Sequence, residues 1–359
     1  MLANLFKTLA PGRSATVADP TEAIRRNLEA GAYAEALRTL DVLPPGHIAE
    51  ADVDYLRGVC LAGLGKEREA LASLRRAAAL APDRAAFQLT AARACLTLAL
   101  PEEATRYCHR ALAADPDCSP AHTLLAAIDL PGEDYFALLR RIHAHVRPRT
   151  YVEIGIWQGA SLRLADATTS VIGIDPEPRL DAPPASNQRV FRQTSDAFFA
   201  EHDLGVLFDG VAVDLAFIDG MHRFEFVLRD FVNLERFCTR ESTIVVHDCF
   251  PLDAATAARE RVTRFWSGDV WRAVLALKQY RPDLAIHTVA APPTGLAVIR
   301  NLDPSSRVLA GRLDRVCAEF LAVDFAAIAG TKAESLNLFP NDWEKVKTLF
   351  GASDRRPAD

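Results

Sequence analysis

The chain has 359 residues, half of them hydrophobic, with 41 Lys or Arg against 47 Asp or Glu and a formal net charge of −6. That length exceeds one ordinary small domain, and the apolar share is enough for two cores. A mildly acidic chain of mixed charge gives no electrostatic ground for nucleic acid or an anionic membrane as the main partner, and neither is expected. Cys60, Cys95, Cys108, Cys118, Cys238, Cys249 and Cys317 are scattered and lack CxxC spacing. They signal neither a disulfide framework nor a structural zinc site and fit a reducing cytoplasm. The apolar opening Met1 to Ala10 has no charged leader, and no run of about twenty apolar residues occurs, so neither export signal nor membrane span is expected.

Gly31-Ala-Tyr-Ala-Glu-Ala36 returns as Gly65-Lys-Glu-Arg-Glu-Ala70 and, weakened, as Ala99-Leu-Pro-Glu-Glu-Ala104, and Pro82 and Pro116 keep the same step. In the best copy Gly58 and Leu61 mark a first helix, Gly65 the turn, Ala70, Leu74 and Ala77 a second helix, and Pro82 the stop. Small residues at Gly58, Ala70 and Ala77 let two helices approach closely, while Leu61 and Leu74 fill the seam. The pattern closely resembles the tetratricopeptide repeat, which implies an all-α repeat region over 17–130. Its copies are expected at 17–50, 51–84 and 85–118, with Ser119 to Asp129 as capping helix and a break at Leu130-Pro-Gly-Glu133. Such an arm either stabilises or dimerises its neighbour, or offers a groove to a protein partner or carrier-bound substrate. A linker helix is expected over 131–148.

From Arg149 the period changes. Short apolar runs at 150–156, 170–175, 188–192, 212–218 and 242–247, then a hairpin over 285–299, alternate with helical stretches and predict a doubly wound, Rossmann-like α/β sheet. Ligands of such a sheet gather at the carboxyl ends of its strands. The first end is Tyr151-Val-Glu-Ile-Gly-Ile-Trp-Gln-Gly-Ala-Ser161, with a helix expected to start near Gly159. A dinucleotide turn needs naked backbone two residues after its first glycine, and Trp157 stands there, which argues against pyrophosphate. Glu153 points the same way, because a carboxylate repels phosphate and suits a sulfonium or ammonium group. Asp175 closes the second strand, where a carboxylate accepts hydrogen bonds from ribose hydroxyls.

These residues resemble a class I S-adenosylmethionine-dependent methyltransferase over 149–300, and more narrowly the group of sugar and macrolide O-methyltransferases. The resemblance implies that Glu153, Gly155, Gly159 and Ser161 hold the methionine part of S-adenosylmethionine, that Asp175 meets the ribose, and that Asp196 lies near the adenine amino group. Each has an ordinary explanation too: a glycine turn, a strand-end aspartate, or, for Ser195 and Asp196, a cap on the following helix.

Leu215-Ala-Phe-Ile-Asp219-Gly220-Met-His222 brings a carboxylate to the fourth strand end and an imidazole three residues later, sharing one helix entrance if the helix begins at Gly220. The fifth strand delivers His247 and Asp248. An alcohol attacks a sulfonium methyl only once its proton leaves or its pKa falls. His222 suits the general base, with Asp219 as the second catalytic group. Asp219 and Asp248 suit a magnesium ion, which takes one or two protein carboxylates. His247 is the weaker ligand, since strand alternation would turn it away from Asp248.

Trp266 or Trp271 is either a pocket wall or core, and 253–269 is the expected lid over a small-molecule acceptor. The helical extension 301–359, with helices over 305–323 and 341–349 and a frayed end from Asp354 to Asp359, packs on a domain or on a second copy of the chain. The reading is therefore a cytoplasmic methyltransferase, with O-methylation of a sugar-like or polyketide-like hydroxyl favoured. Two alternatives stand beside it: a repeat-based scaffold with a structural or cofactor-sensing α/β domain, and a hydroxylase using iron at Asp219 and His222.

Overall fold

The computed structural model describes residues 19–350, so the apolar opening segment and the frayed end fall outside the described residues. The chain divides into two compact units, one ending at Ile128 and the other beginning at Asp129.

The first unit is a stack of paired helices: α1 (Pro20–Glu29) with α2 (Tyr33–Asp41), α3 (Glu50–Gly63) with α4 (Glu67–Leu80), α5 (Ala85–Thr97) with α6 (Pro101–Ala114), and then α7 (Ser119–Asp129). The 34-residue step sets its packing. Ala36, Ala70 and Ala104 are fully buried at equivalent places, as are Ala77 and Ala111. A Cβ added to Gly58 would fall 2.6 Å from Leu74 Cγ, so the absence of a side chain there is what lets α3 and α4 close. Buried Asp52 and Asp54 are held by Arg84 and Arg76 at 2.5 and 2.6 Å, which removes the cost of leaving those carboxylates unpaired.

The second unit opens with α8 (Tyr135–Val146), in the stretch expected as a linker helix. Leu138, Leu139 and Ile142 of α8 pack on Tyr151, Val171, Leu215 and Val245 in one core of the sheet. Five parallel strands follow: β1 (Thr150–Ile154), β2 (Ser170–Ile174), β3 (Gln188–Phe191), β4 (Val213–Ile218) and β5 (Cys238–His247). Between them run α9 (Ser195–Glu201), α10 (Leu204–Leu207) and α11 (Phe224–Glu235), and α12 (Trp271–Tyr280) leads to the expected hairpin of β6 (Ala285–Val289) and β7 (Leu296–Arg300). The order is β3-β2-β1-β4-β5-β7-β6, with a short β8 (Leu338–Phe339) beyond β6, and β7 is antiparallel to both neighbours. Chain order reverses between β1 and β4, so their carboxyl ends flank the natural ligand crevice.

Alternate residues of the central strands enter two cores, as strands covered on both faces require. Val152, Ile172, Ile218 and Val246 meet α11 and α12, and Tyr151, Val171, Leu215 and Val245 meet α8. In the extension, the helix expected over 305–323 is shorter, α13 (Leu313–Leu321), because the Asp303 carboxylate accepts bonds from the Ser305 backbone and hydroxyl and folds that stretch into a turn. After α14 (Lys332–Ser335), an unexpected strand β8 (Leu338–Phe339) pairs with β6. The last expected helix is α15 (Trp343–Val346) with a 3-10 turn to Phe350.

Candidate active site

Gly155, the residue after β1, has φ +87°, and a Cβ built there would lie 2.2 Å from the Asp219 carbonyl oxygen. Its N–H bonds Ile174 of β2 while Asp219 N–H bonds Ile154, so three strand ends lock at one point. No helix begins near Gly159, contrary to expectation. Trp157 and Gly159 both take positive φ, and the chain doubles back so that the Trp157 and Gln158 carbonyls accept from Arg179 and Asp181 before a 3-10 turn, Leu162–Leu164. Two left-handed residues within three break helical propagation.

The turn and the neighbouring strand ends surround a cavity of about 750 Å³. Gly155, Ser161, Asp175, Asp196, Asp219, His222 and Asp248 line it, whereas Glu153 and Gly159 do not. Gly159 instead packs against Leu180. Glu153 is fully buried behind the wall, accepting bonds from the Ser161 and Tyr151 hydroxyls. Burial, partly offset by those two bonds, pushes its pKa up to about 8. It is thus largely protonated near neutral pH, a correction to its reading as a fixed negative charge on the cavity. Asp175 holds the turn together, its carboxylate accepting from Ile156 N–H and Trp157 N–H at 3.0 Å and Glu177 N–H at 2.8 Å. The α9 cap is Thr194, not Ser195 or Asp196, and Asp196 pairs with Arg229 at 3.3 Å.

The other side of the cavity holds four ionisable groups. Asp219 Oδ1 lies 3.0 Å from His247 Nδ1 and 3.7 Å from His222 Nε2, and Asp248 Oδ2 lies 3.0 Å from His222 Nδ1. That last separation is an ion-pair distance, though the ring is not turned into hydrogen-bond alignment. Asp248 Oδ1 accepts from the Thr294 hydroxyl at 2.6 Å. Helix α11 starts at Phe224 rather than Gly220, because the buried Asp269 carboxylate accepts from Phe224 N–H, and His222 precedes it at φ +54°. His247 does not turn away from Asp248: the chain leaves strand geometry at Asp248, φ +60°, and His247 Nδ1 comes within 3.5 Å of Asp248 Oδ2. One donor atom each from Asp219, His247 and Asp248 lie within 4.8 Å of one another, a trio that includes His247 rather than the His222 envisaged beside Asp219 for iron.

Burial alone would lower both histidine pKa values, but the two aspartates reverse it. Asp248 and then Asp219 hold His222 above its ordinary 6.5 and raise His247 to about 9. Asp248 answers in the opposite direction, lowered by both imidazoles despite its burial.

No residue of 253–269 lines the cavity, so the expected lid is instead a support for His222. Asp269 N–H donates to the His222 carbonyl, and Trp266 stacks on the His222 ring with centroids 5.5 Å apart. Trp271 is core. The sequence reading passed over Tyr135, Phe136, Thr294 and Asp230. Tyr135 stacks on His247 at 3.9 Å, Thr294 anchors Asp248, and Phe136 and Asp230 line the cavity. A usable signal existed for Asp230 alone, an acid among the apolar positions of an amphipathic helix.

Residues 152–249 match the family model of a methyltransferase domain. The chain carries a methyltransferase domain. Residues 61–128 match the tetratricopeptide repeat, in keeping with the stacked helix pairs of the first unit. None of the curated proteins matches the chain. Solved structures similar to it include cofactor-bound Rv0187 from MTB, 18% identical, covering 54% of this chain and 93% of that one at a TM-score of 0.36. Another is the O-methyltransferase TomG from Streptomyces achromogenes in complex with SAM, 18% identical, covering 47% and 79% at a TM-score of 0.36. No helix among the described residues is long and apolar enough to cross a membrane.

Proposed function

We propose that the second unit binds S-adenosylmethionine in this cavity and transfers its methyl group to a hydroxyl oxygen of a small-molecule acceptor. The observation that carries the reading is the pairing, in one cavity of the methyltransferase domain, of a glycine turn with the Asp219, His222, His247 and Asp248 cluster. Among the described residues lining the cavity none is Lys or Arg, which suits a cofactor without phosphate. When bound, the cofactor supplies an electrophilic methyl group.

His222 Nε2 is the proton acceptor, its ring held by Trp266 and its Nδ1 set against Asp248. Asp219 and Asp248, with His247 as third donor, would hold a divalent cation, whose charge would lower the pKa of the acceptor hydroxyl. The residues fit one: Asp248 Oδ2 is a buried acceptor without an aligned donor. Magnesium is the expected ion by its carboxylates, and the imidazole shifts preference toward manganese or iron. Sugar-like and polyketide-like acceptors are the first to try.

Calorimetric titration of S-adenosylmethionine into the full chain, followed by methyl-transfer assays over a panel of hydroxylated acceptors, tests this. His222→Ala should bind the cofactor normally and lose turnover by roughly 10²–10⁴-fold, the usual worth of a general base. A chelator should suppress turnover and spare cofactor binding. A fully active His222→Ala protein would remove the base assignment, and no saturable cofactor binding would remove the whole reading.

A further inference from the structure

The two ring nitrogens of His247 have different neighbours. Nδ1 lies 3.0 Å from Asp219 Oδ1 and 3.5 Å from Asp248 Oδ2, while Nε2 lies 3.3 Å from the Thr294 hydroxyl. Only Nδ1 therefore shares a point with both carboxylates. Tyr135 stacks on the ring with centroids 3.9 Å apart and resists the flip about Cβ–Cγ that would exchange the two nitrogens.

Thr294 stands in the turn between β6 and β7, is 3% exposed and does not line the cavity. Its backbone is anchored: Phe250 N–H donates to the Thr294 carbonyl at 2.7 Å, and Tyr135 N–H to the Pro292 carbonyl at 2.9 Å. The end of β5, the hairpin turn and the start of α8 thus form one bracket around His247. Within it the Thr294 hydroxyl donates to Asp248 Oδ1 at 2.6 Å.

A hydroxyl has one proton, and an ionised carboxylate only accepts. That proton is committed to Asp248, so Thr294 meets His247 Nε2 with a lone pair. Ligation to a metal needs the neutral imidazole, and in that form the nitrogen facing a lone pair is the one that keeps its hydrogen. Nδ1 is then bare, and it faces the two carboxylates. The same hydroxyl occupies Asp248 Oδ1 and leaves Oδ2 as the oxygen turned toward both imidazoles.

We infer that Thr294 is a positioning residue for the divalent cation: one hydroxyl fixes the tautomer of His247 and the free oxygen of Asp248. It thereby presents Nδ1 and Oδ2, together with Asp219, to the ion. The assignment rests on the metal-assisted reading of this site and adds a residue that touches neither ion nor acceptor.

The test is titration of manganese(II) into the full-length protein and its Thr294→Val and Thr294→Ser variants, with free ion read by electron paramagnetic resonance. Calorimetric titration of S-adenosylmethionine runs beside it, and circular dichroism establishes that each variant is folded. Valine keeps the shape of threonine and removes the hydroxyl. Thr294→Val should weaken manganese binding by about 10–100-fold, the usual cost of removing a partner behind a ligating histidine, and leave cofactor affinity unchanged. Thr294→Ser should restore most of the metal affinity. A folded Thr294→Val protein that holds manganese as tightly as the wild type overturns the assignment and leaves the metal reading standing. A serine variant as weak as the valine one overturns it too, since the methyl group rather than the hydroxyl would then matter. Spectra of the wild type with 15N-labelled histidine need no variant: loaded with magnesium, His247 should carry its hydrogen on Nε2, and a hydrogen on Nδ1 overturns the assignment. Failure of the wild type to bind either ion brings down the metal reading and this inference with it, while the cofactor titration judges the cofactor reading separately.

Discussion

Gly155 and Gly65 separate two reasons for glycine. Both have positive φ, but a Cβ at Gly155 would meet the Asp219 backbone at 2.2 Å, whereas one at Gly65 would find nothing within 4 Å. Gly65→Ala should therefore cost only the left-handed backbone penalty, about 1–2 kcal/mol. Gly155→Ala carries the same penalty and must also push β1 from β4, where Asp219 is placed. Chemical denaturation should show the larger loss at Gly155, and titration should show cofactor binding gone there alone. Equal losses at the two sites would mean that the strand ends yield easily. The same contrast explains what could be foreseen about individual residues. Gly155, Asp175 and Asp219 were legible because strand ends expose a short list of side chains to a ligand. The neutral state of Glu153 was not, because it depends on Tyr151 and Ser161 closing over it.

Among the elements, the repeats were the most readable, since one pattern printed three times averages out local noise. Gly31, Gly65 and Ala99 occupy equivalent turns at φ +71°, +72° and +56°. Ala99 is the member that breaks the glycine pattern and pays the left-handed strain. Ala99→Gly should then stabilise the repeat unit by about 1 kcal/mol, less what glycine adds to the entropy of the unfolded chain. Thermal unfolding is the measurement, and a lower midpoint would show that the turn is set by its neighbours rather than by backbone strain. In the second unit, strands were legible from apolar runs and the hairpin from its turn. The start of α11 was displaced by Asp269, a residue forty-five positions from the Phe224 N–H it accepts. Long-range caps of that kind leave no local mark, and neither does β8, whose two residues form a strand only because β6 lies beside them.

At the scale of the whole molecule, the shifted groups of the two units fall in different pH ranges. In the repeat unit they titrate outside pH 6.5 to 8.5: Asp19, Glu22 and Glu103 are held below their ordinary values, and Cys60, Cys95, Cys108, Cys118 and Tyr107 above theirs. The second unit has Glu153 near 8 and Asp230 near 7. An acid with a raised folded pKa binds more protons folded than unfolded, so its ionisation in the unfolded chain erodes stability as pH climbs from the ordinary value to the folded one. His143, which burial lowers to about 4, acts in the other direction, but its gain is complete above its ordinary 6.5. His247, raised to about 9, adds a further loss with rising pH. All the shifts of the second unit that act between pH 6.5 and 8.5 thus weaken it as pH rises, Glu153 alone by about 2 kcal/mol. Calorimetry of the full chain, with chelator present so that His247 keeps its proton, should show the transition that S-adenosylmethionine stabilises falling by roughly 10 °C or more across that window, Glu153 and His247 together costing about 5 kcal/mol. Glu153→Gln should flatten part of the fall, because the amide stays neutral in both states. A midpoint that rises with pH, or a slope unchanged in Glu153→Gln, would mean that Glu153 is ionised in the folded chain and that the fixed negative charge first read from the strand end was right.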